Sequence, residues 1–159
     1  MQYLLMLLAV AGITAADQIT KYLVVQNIPL YGQVPVVPGL LHLTYVQNTG
    51  AAFSMLRGAQ WLFALIFLVL TVAVVWDMVK KAMPFTRLER WLVVCIYAGG
   101  LGNMIDRVRL GYVVDMIEVE FMNFAVFNVA DCFITCGCIG LMLHLICFNK
   151  EFWKDEKKK

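Results

Sequence analysis

Charge is scarce in this chain. Of 159 residues only 15% are Asp, Glu, Lys or Arg, and 62% are hydrophobic. That balance excludes an ordinary water-soluble domain of this size. Histidine is scarcer still, with His42 and His144 far apart. No His-based zinc motif, no Ser/His arrangement and no Cys beside a His can be found. The five cysteines, Cys95, Cys132, Cys136, Cys138 and Cys147, match no zinc or redox spacing and read as small buried packing residues. No metal and no other cofactor is expected. Repeats, low-complexity tracts and a second domain are also missing. No Lys or Arg precedes the first apolar run, so a cleavable secretory signal ending at Thr14-Ala15-Ala16 is not expected.

Four long apolar stretches are present, at about 3–25, 60–79, 88–106 and 124–148. Each reaches the roughly 20 residues that a helix needs to cross a bilayer. The expected fold is an all-α membrane protein with four transmembrane helices, packed as one integral membrane domain over 1–159. Nine of the thirteen basic residues lie in the loop 80–87 and just beyond (Lys80, Lys81, Arg87, Arg90) or in the tail 149–159 (Lys150, Lys154, Lys157, Lys158, Lys159). That bias puts both regions and both termini in the cytoplasm, and 26–59 and 107–123 outside. A basic tail of this kind marks a cytoplasmic face rather than nucleic-acid binding. Trp76, Trp91 and Trp153 then fall near the inner interface and Trp61 near the outer one.

The segment 26–59 is rich in breakers: Pro29, Gly32, Pro35, Pro38 and Gly39. Leu41, Leu43 and Tyr45 alternate with His42 and Thr44, which is strand periodicity. A small extracytoplasmic β-sheet, a cradle on the membrane surface, is expected there, with 107–123 as a second loop. Within that loop Asp115 shares one side with Ile117, Val119 and Phe121, while Glu118 and Glu120 share the other. A short helix lying in the interface is the other reading of this stretch.

The polar residues collect at one end of the spans. Asp17 and Lys21 are four apart on the first helix and read as an internal salt bridge. Asn103, Asp106 and Arg107 form one polar face as the third span ends, where Arg107 could hold a carboxylate through two hydrogen bonds. Asn128 and Asp131 stand three apart in the first turns of the fourth. Carboxylates at membrane depth are costly and face a partner, a cavity or a reaction. Two close Asp side chains sharing one proton can deprotonate a water and protonate a leaving amine. Asp115 and Asp131 are the candidate pair. A proton relay or cation path would need acids along the whole membrane, whereas the acids here collect at one face, with Asp77 at the other. A scaffold whose polar faces merely join helices is the third reading.

Five stretches together resemble one family. They are Asp17-Gln18-Ile19-Thr20-Lys21, Asn48-Thr49-Gly50-Ala51-Ala52-Phe53, Gly102-Asn103-Met104-Ile105-Asp106-Arg107, Val113-Val114-Asp115-Met116 and Phe127-Asn128-Val129-Ala130-Asp131. Their order and topology resemble the bacterial lipoprotein signal peptidases, or signal peptidase II. Met116 stands where an aromatic is common. The resemblance implies an aspartyl endopeptidase of the inner membrane. It would cut prolipoproteins on the N-terminal side of a diacylglyceryl-modified Cys, with globomycin-type cyclic peptides as inhibitors. By position Asp115 and Asp131 carry over as the catalytic pair. Asn48, Gly50, Asn103, Arg107 and Asn128 would shape the site or hold substrate backbone, Ala130 lies within the last matching stretch, and Asp106, Asp17 and Lys21 would brace it. The expected partners are the lipidated substrate and membrane lipid, with the enzyme a monomer. Insensitivity to chelators and to serine- or cysteine-directed reagents follows from an aspartyl pair.

Overall fold

A computed structural model of the chain describes residues 1–50, 56 and 58–152. Ala51, Ala52 and Phe53 of the second matching stretch, Trp153 and the last lysines lie outside the described residues. The order is α1 (Gln2–Asn27), β1 (Gln33–Val37), β2 (Leu41–Asn48), α2 (Gln60–Lys80), α3 (Arg87–Leu110), β3 (Val113–Val119) and α4 (Val129–Cys147). Helices α1, α2 and α4 are long and apolar enough to cross a membrane. At about 1.5 Å per residue α3 is also long enough, at roughly 36 Å. Its composition falls short because charged residues crowd both ends, from Arg87, Glu89 and Arg90 to Asp106, Arg107 and Arg109.

Helix α3 is the hub, since α1, α2 and α4 all pack on it. The α3–α4 seam is lined with small residues. A Cβ on Gly99 would collide with the Ala130 carbonyl, and one on Gly137 would come within 2.7 Å of Ile96. Close approach of this kind is what holds helices together in lipid, where apolar burial gives little preference. Helix α2 buries no residue and touches α3 through Phe67 and Tyr97, whose rings stack at 5.3 Å. Outward faces carry exposed leucines, valines and isoleucines, as lipid contact requires.

Three strands form one antiparallel sheet in the order β1-β2-β3. Gly39 makes the β1–β2 turn with φ 75°, a backbone region where a side chain is strained. Pro35 sits in the edge strand β1, where a missing N–H is tolerated. The loop 107–123 is therefore not a separate element or an interfacial helix. Its residues Val113–Val119 pair with β2, Val46 opposite Asp115 and Asn48 opposite Val113. Under the sheet Val24 and Ile28 from the end of α1 meet Tyr45, Val114 and Met116.

Two helix ends differ from the sequence expectation. Helix α3 does not end at Asp106. It runs one more turn to Leu110 and stops at Gly111, whose φ of 81° is the left-handed conformation that closes helices. Helix α4 starts at Val129, not 124, because Asn128 is its N-cap and Phe127 pairs with Ile117 instead. The cysteines are not buried either: Cys136 and Cys147 are exposed and the other three partly so. Helix α4 packs by one face, where Ala130 and Gly137 are the residues it buries and Gly140 faces Leu92.

Candidate active site

The end of the bundle that carries the sheet also gathers the polar residues. Lys21 and Asp17 form the expected ion pair at 2.9 Å, but the cluster is larger. Lys21 Nζ also lies 3.0 Å from Asp106 Oδ2 and donates to Asn103 Oδ1 at 2.9 Å. Gly102 lets α1 come this close, since a Cβ there would sit 2.5 Å from Asp17 Oδ2. Asp17 Oδ1 accepts the Ala130 N–H at 3.0 Å, tying α1 to the first turn of α4. Asp106 accepts from Gln18 Nε2 at 2.8 Å and from the Val114 N–H at 3.0 Å. It thus pins the strand beside Asp115.

Asp115 is 3% exposed and lies on β3. Its Oδ2 accepts from Asn48 Nδ2 at 2.9 Å and its Oδ1 from Asn128 Nδ2 at 2.7 Å. The Gly50 N–H donates to Asn48 Oδ1 at 2.9 Å, which turns the Asn48 NH2 toward the carboxylate. Burial pushes the Asp115 carboxyl up to about 6. The neighbouring Asp131 charge adds to that rise, while the Asn48 and Asn128 amides and Lys21 oppose it.

Asp131 is the third residue of α4. Its Oδ2 accepts the Asn128 N–H at 3.1 Å, and Asn128 Oδ1 accepts the Asp131 N–H at 3.0 Å, a reciprocal capping box. Asp131 Oδ1 accepts from Asn103 Nδ2 at 2.8 Å. One residue, Asn128, therefore contacts both carboxylates. The two acids line a single cavity of about 450 Å³ together with Asn48, Gly50, Asn103 and Arg107.

Arg107 departs from its expected part. Its guanidinium holds backbone carbonyls rather than a carboxylate: Nη1 donates to Asn103 O at 3.2 Å and Nη2 to Gly50 O at 3.0 Å. It lies 4.3 Å over the Phe63 ring, and its buried Nε finds no hydrogen-bond partner among the described residues. The two Nη groups thus tie Gly50, just past β2, to α3. Gln18, given no role from the sequence, joins α1 to Asp106 and to Gly102 O at 3.2 Å. Its place beside Asp17 in the first matching stretch is the signal that could have found it. The apolar wall of the cavity, with Phe124, Val126, Phe127, Cys132, Thr135 and Cys136, was also unassigned. On α4 the spacing Cys132–Cys136, one residue past Asp131, carries that signal.

Among the described residues no group of three or more His, Cys, Asp or Glu is placed to hold a metal ion. Two carboxylates on one cavity, each with an N–H donor on both oxygens, form an arrangement suited to general acid–base work.

The comparisons with known proteins agree with this architecture. The family model for signal peptidase II matches residues 9–147. A lipoprotein signal peptidase of Streptococcus pyogenes serotype M2 is 41% identical over 155 residues, covering 96% of this chain and 95% of the relative. One from Streptococcus agalactiae serotype Ia is 45% identical over 145 residues, covering 89% and 87%. A bacterial membrane enzyme solved by the in meso method superposes with a TM-score of 0.84 at 30% identity, over 92% of this chain and 90% of that one. With the profile spanning nearly the whole bundle and the site residues gathered at one end of it, this chain belongs to the signal peptidase II family.

Proposed function

We propose that the protein is an intramembrane aspartyl endopeptidase that removes signal peptides from diacylglyceryl-modified prolipoproteins, cutting N-terminal to the lipidated Cys. The observation that carries this reading is the pairing of Asp115 and Asp131 on one cavity, each hydrogen-bonded to Asn128. One carboxylate takes a proton from the attacking water while its protonated partner polarises the scissile carbonyl and gives a proton to the amine as the C–N bond breaks. The tetrahedral intermediate forms between them. Asn48, Asn103 and Asn128 hold both acids in place, and Arg107, Gly50, Asp106, Asp17, Lys21 and Ala130 support them from behind.

The setting suits a lipidated substrate. The acids lie at the helix ends beside the sheet, where a membrane-anchored signal peptide reaches the interface. The diacylglyceryl chains stay in lipid, each buried methylene contributing about 0.8 kcal/mol to retention there. By the distribution of basic residues the site faces the extracytoplasmic side of the inner membrane and both termini are cytoplasmic. The enzyme acts as one integral membrane domain and a monomer, and globomycin-type cyclic peptides would occupy the same cavity.

The test is a cleavage assay with a diacylated and an unlipidated prolipoprotein on wild type, Asp115→Asn and Asp131→Asn. We expect cleavage of the diacylated form alone, and a loss of at least about 10²-fold in each variant. Undiminished release by either folded variant removes the two-aspartate reading.

A further inference from the structure

Lys21 is a buried cation that the two-aspartate reading uses only as support. It is 2% exposed, and its ammonium contacts Asp17 Oδ2 at 2.9 Å, Asp106 Oδ2 at 3.0 Å and Asn103 Oδ1 at 2.9 Å. An ammonium has three N–H bonds and accepts none, so these partners use all of them. Two are carboxylates, as an ion pair requires. The third is a neutral amide that faces the site. A carboxamide fits its space in either orientation until its neighbours decide. Lys21 can only donate, so Asn103 must offer it oxygen. The Asn103 NH2 is thereby turned to Asp131 Oδ1, at 2.8 Å. The same Asn103 oxygen accepts from Asn128 Nδ2 at 3.1 Å, and that nitrogen also reaches Asp115 Oδ1 at 2.7 Å.

We infer that Lys21 is a positioning residue: by orienting and polarising the Asn103 amide it favours negative charge on Asp131 and leaves the shared proton on Asp115. The inference rests on the reading of Asp115 and Asp131 as the working pair. The surroundings of the two acids support the asymmetry. Asp131 sits at the N-terminus of α4, where the helix dipole and the Asn128 N–H welcome an anion. Asp115 is buried on a strand between buried Val114 and Met116, whereas Asp131 is only partly buried. The charged groups around the pair are Asp17 and Lys21 from α1 and Asp106 and Arg107 from α3. Asp131 is then the group that takes the water proton, and Asp115 the group that hydrogen-bonds the substrate carbonyl.

The double variant Asp17→Asn/Lys21→Met removes one charge of each sign. The new amide at 17 still has an oxygen for the Ala130 N–H, and Asp106 keeps its donors Gln18 and Val114. In lipid, with a diacylated prolipoprotein peptide, we expect kcat to fall about tenfold or more while KM changes less than about threefold. The acid limb of the kcat profile moves to higher pH, because Lys21, joined to Asp131 through Asn103, acts on the pair more directly than the Asp17 charge lost with it. Asp17→Asn alone removes only a negative charge and moves that limb the other way, a change of sign that a purely structural lysine would not produce. A folded double variant with wild-type kcat and pH profile overturns the inference. Should the double variant not fold, an acid limb unmoved in Asp17→Asn overturns it. Asp131→Asn, assayed in parallel, separates the two readings. If it stays active the aspartyl pair itself fails, and if it is inactive while the double variant behaves as wild type only Lys21 loses its role.

Discussion

Asn128 and Asp131 hold each other in place: each side chain accepts the other's backbone N–H, at 3.0 and 3.1 Å. The helix start and the candidate site are thus built from the same bonds. Asn128 uses its oxygen for the cap and its nitrogen for Asp115, so no part of that side chain is idle.

Asn128→Ala should therefore reduce both stability and turnover. Loss of the cap and of a buried donor predicts a destabilisation of about 1–3 kcal/mol. Cleavage should fall further than the folded fraction does. Thermal unfolding in detergent beside a single-turnover assay measures the two separately. A variant with unchanged unfolding temperature and turnover contradicts the bridging arrangement.

Asp115 gives stability a pH dependence of defined sign. In the unfolded chain it titrates near the usual 3.9. In the fold it is raised to about 6, mainly by burial. The stabilisation conferred by the protonated form is complete below about pH 4 and is lost as pH rises through about 6. For this residue the difference is roughly 2–3 kcal/mol. Unfolding measured from pH 4 to 7 should show that decline in wild type and a flatter profile in Asp115→Asn. Parallel profiles would mean that Asp115 titrates normally.

Gly102→Ala should break the contact between α1 and α3. The added Cβ would sit 2.5 Å from Asp17 Oδ2 and 3.1 Å from its Cγ, both belonging to a buried, fully engaged carboxylate. We expect about 1–3 kcal/mol of destabilisation. Gly12→Ala, on the same helix as Asp17 but with open space around it, is the control and should be tolerated. Equal unfolding temperatures for the two variants would show that α1 has room to move.

Sensitivity to thiol reagents is expected despite the aspartyl chemistry. Residue order alone offers no reason for a cysteine reagent to inhibit, but Cys132 and Cys136 line the cavity beside Asp131. A small membrane-permeant methanethiosulfonate should block cleavage by filling space. Cys132→Ala/Cys136→Ala should resist it, and inhibition that persists there would place the modified thiol elsewhere.

The four helices, the strand at Leu41 and the two aspartates were legible because their signals are local. Apolar length gives spans, period-two alternation gives β2, and isolated acids in apolar surroundings stand out. What stayed hidden depends on three-dimensional meetings. Nothing in the sequence near Asp115 says that Val46 lies opposite it, so the two outer loops read as separate. Arg107 reads as a carboxylate clamp because its partners, the carbonyls of Gly50 and Asn103, are backbone and leave no trace in residue identity. The end of α3 and the start of α4 were misplaced by a few residues because Gly111 and Asn128 override the apolar run that surrounds them.

The pairing of β2 with β3 also constrains how the cavity can widen. Asn48 and Asp115 ride on neighbouring strands, so prising them apart would unzip a ladder of backbone bonds. The stretch from 120 to 126 is held differently, by the Glu120 N–H to Leu40 O and the His42–Glu120 contact at one end and by the Phe127–Ile117 bridge and the Phe124–Phe127 ring contact at the other. Widening the cavity from the side of 120–126 would leave intact the strand pair that carries Asn48 and Asp115.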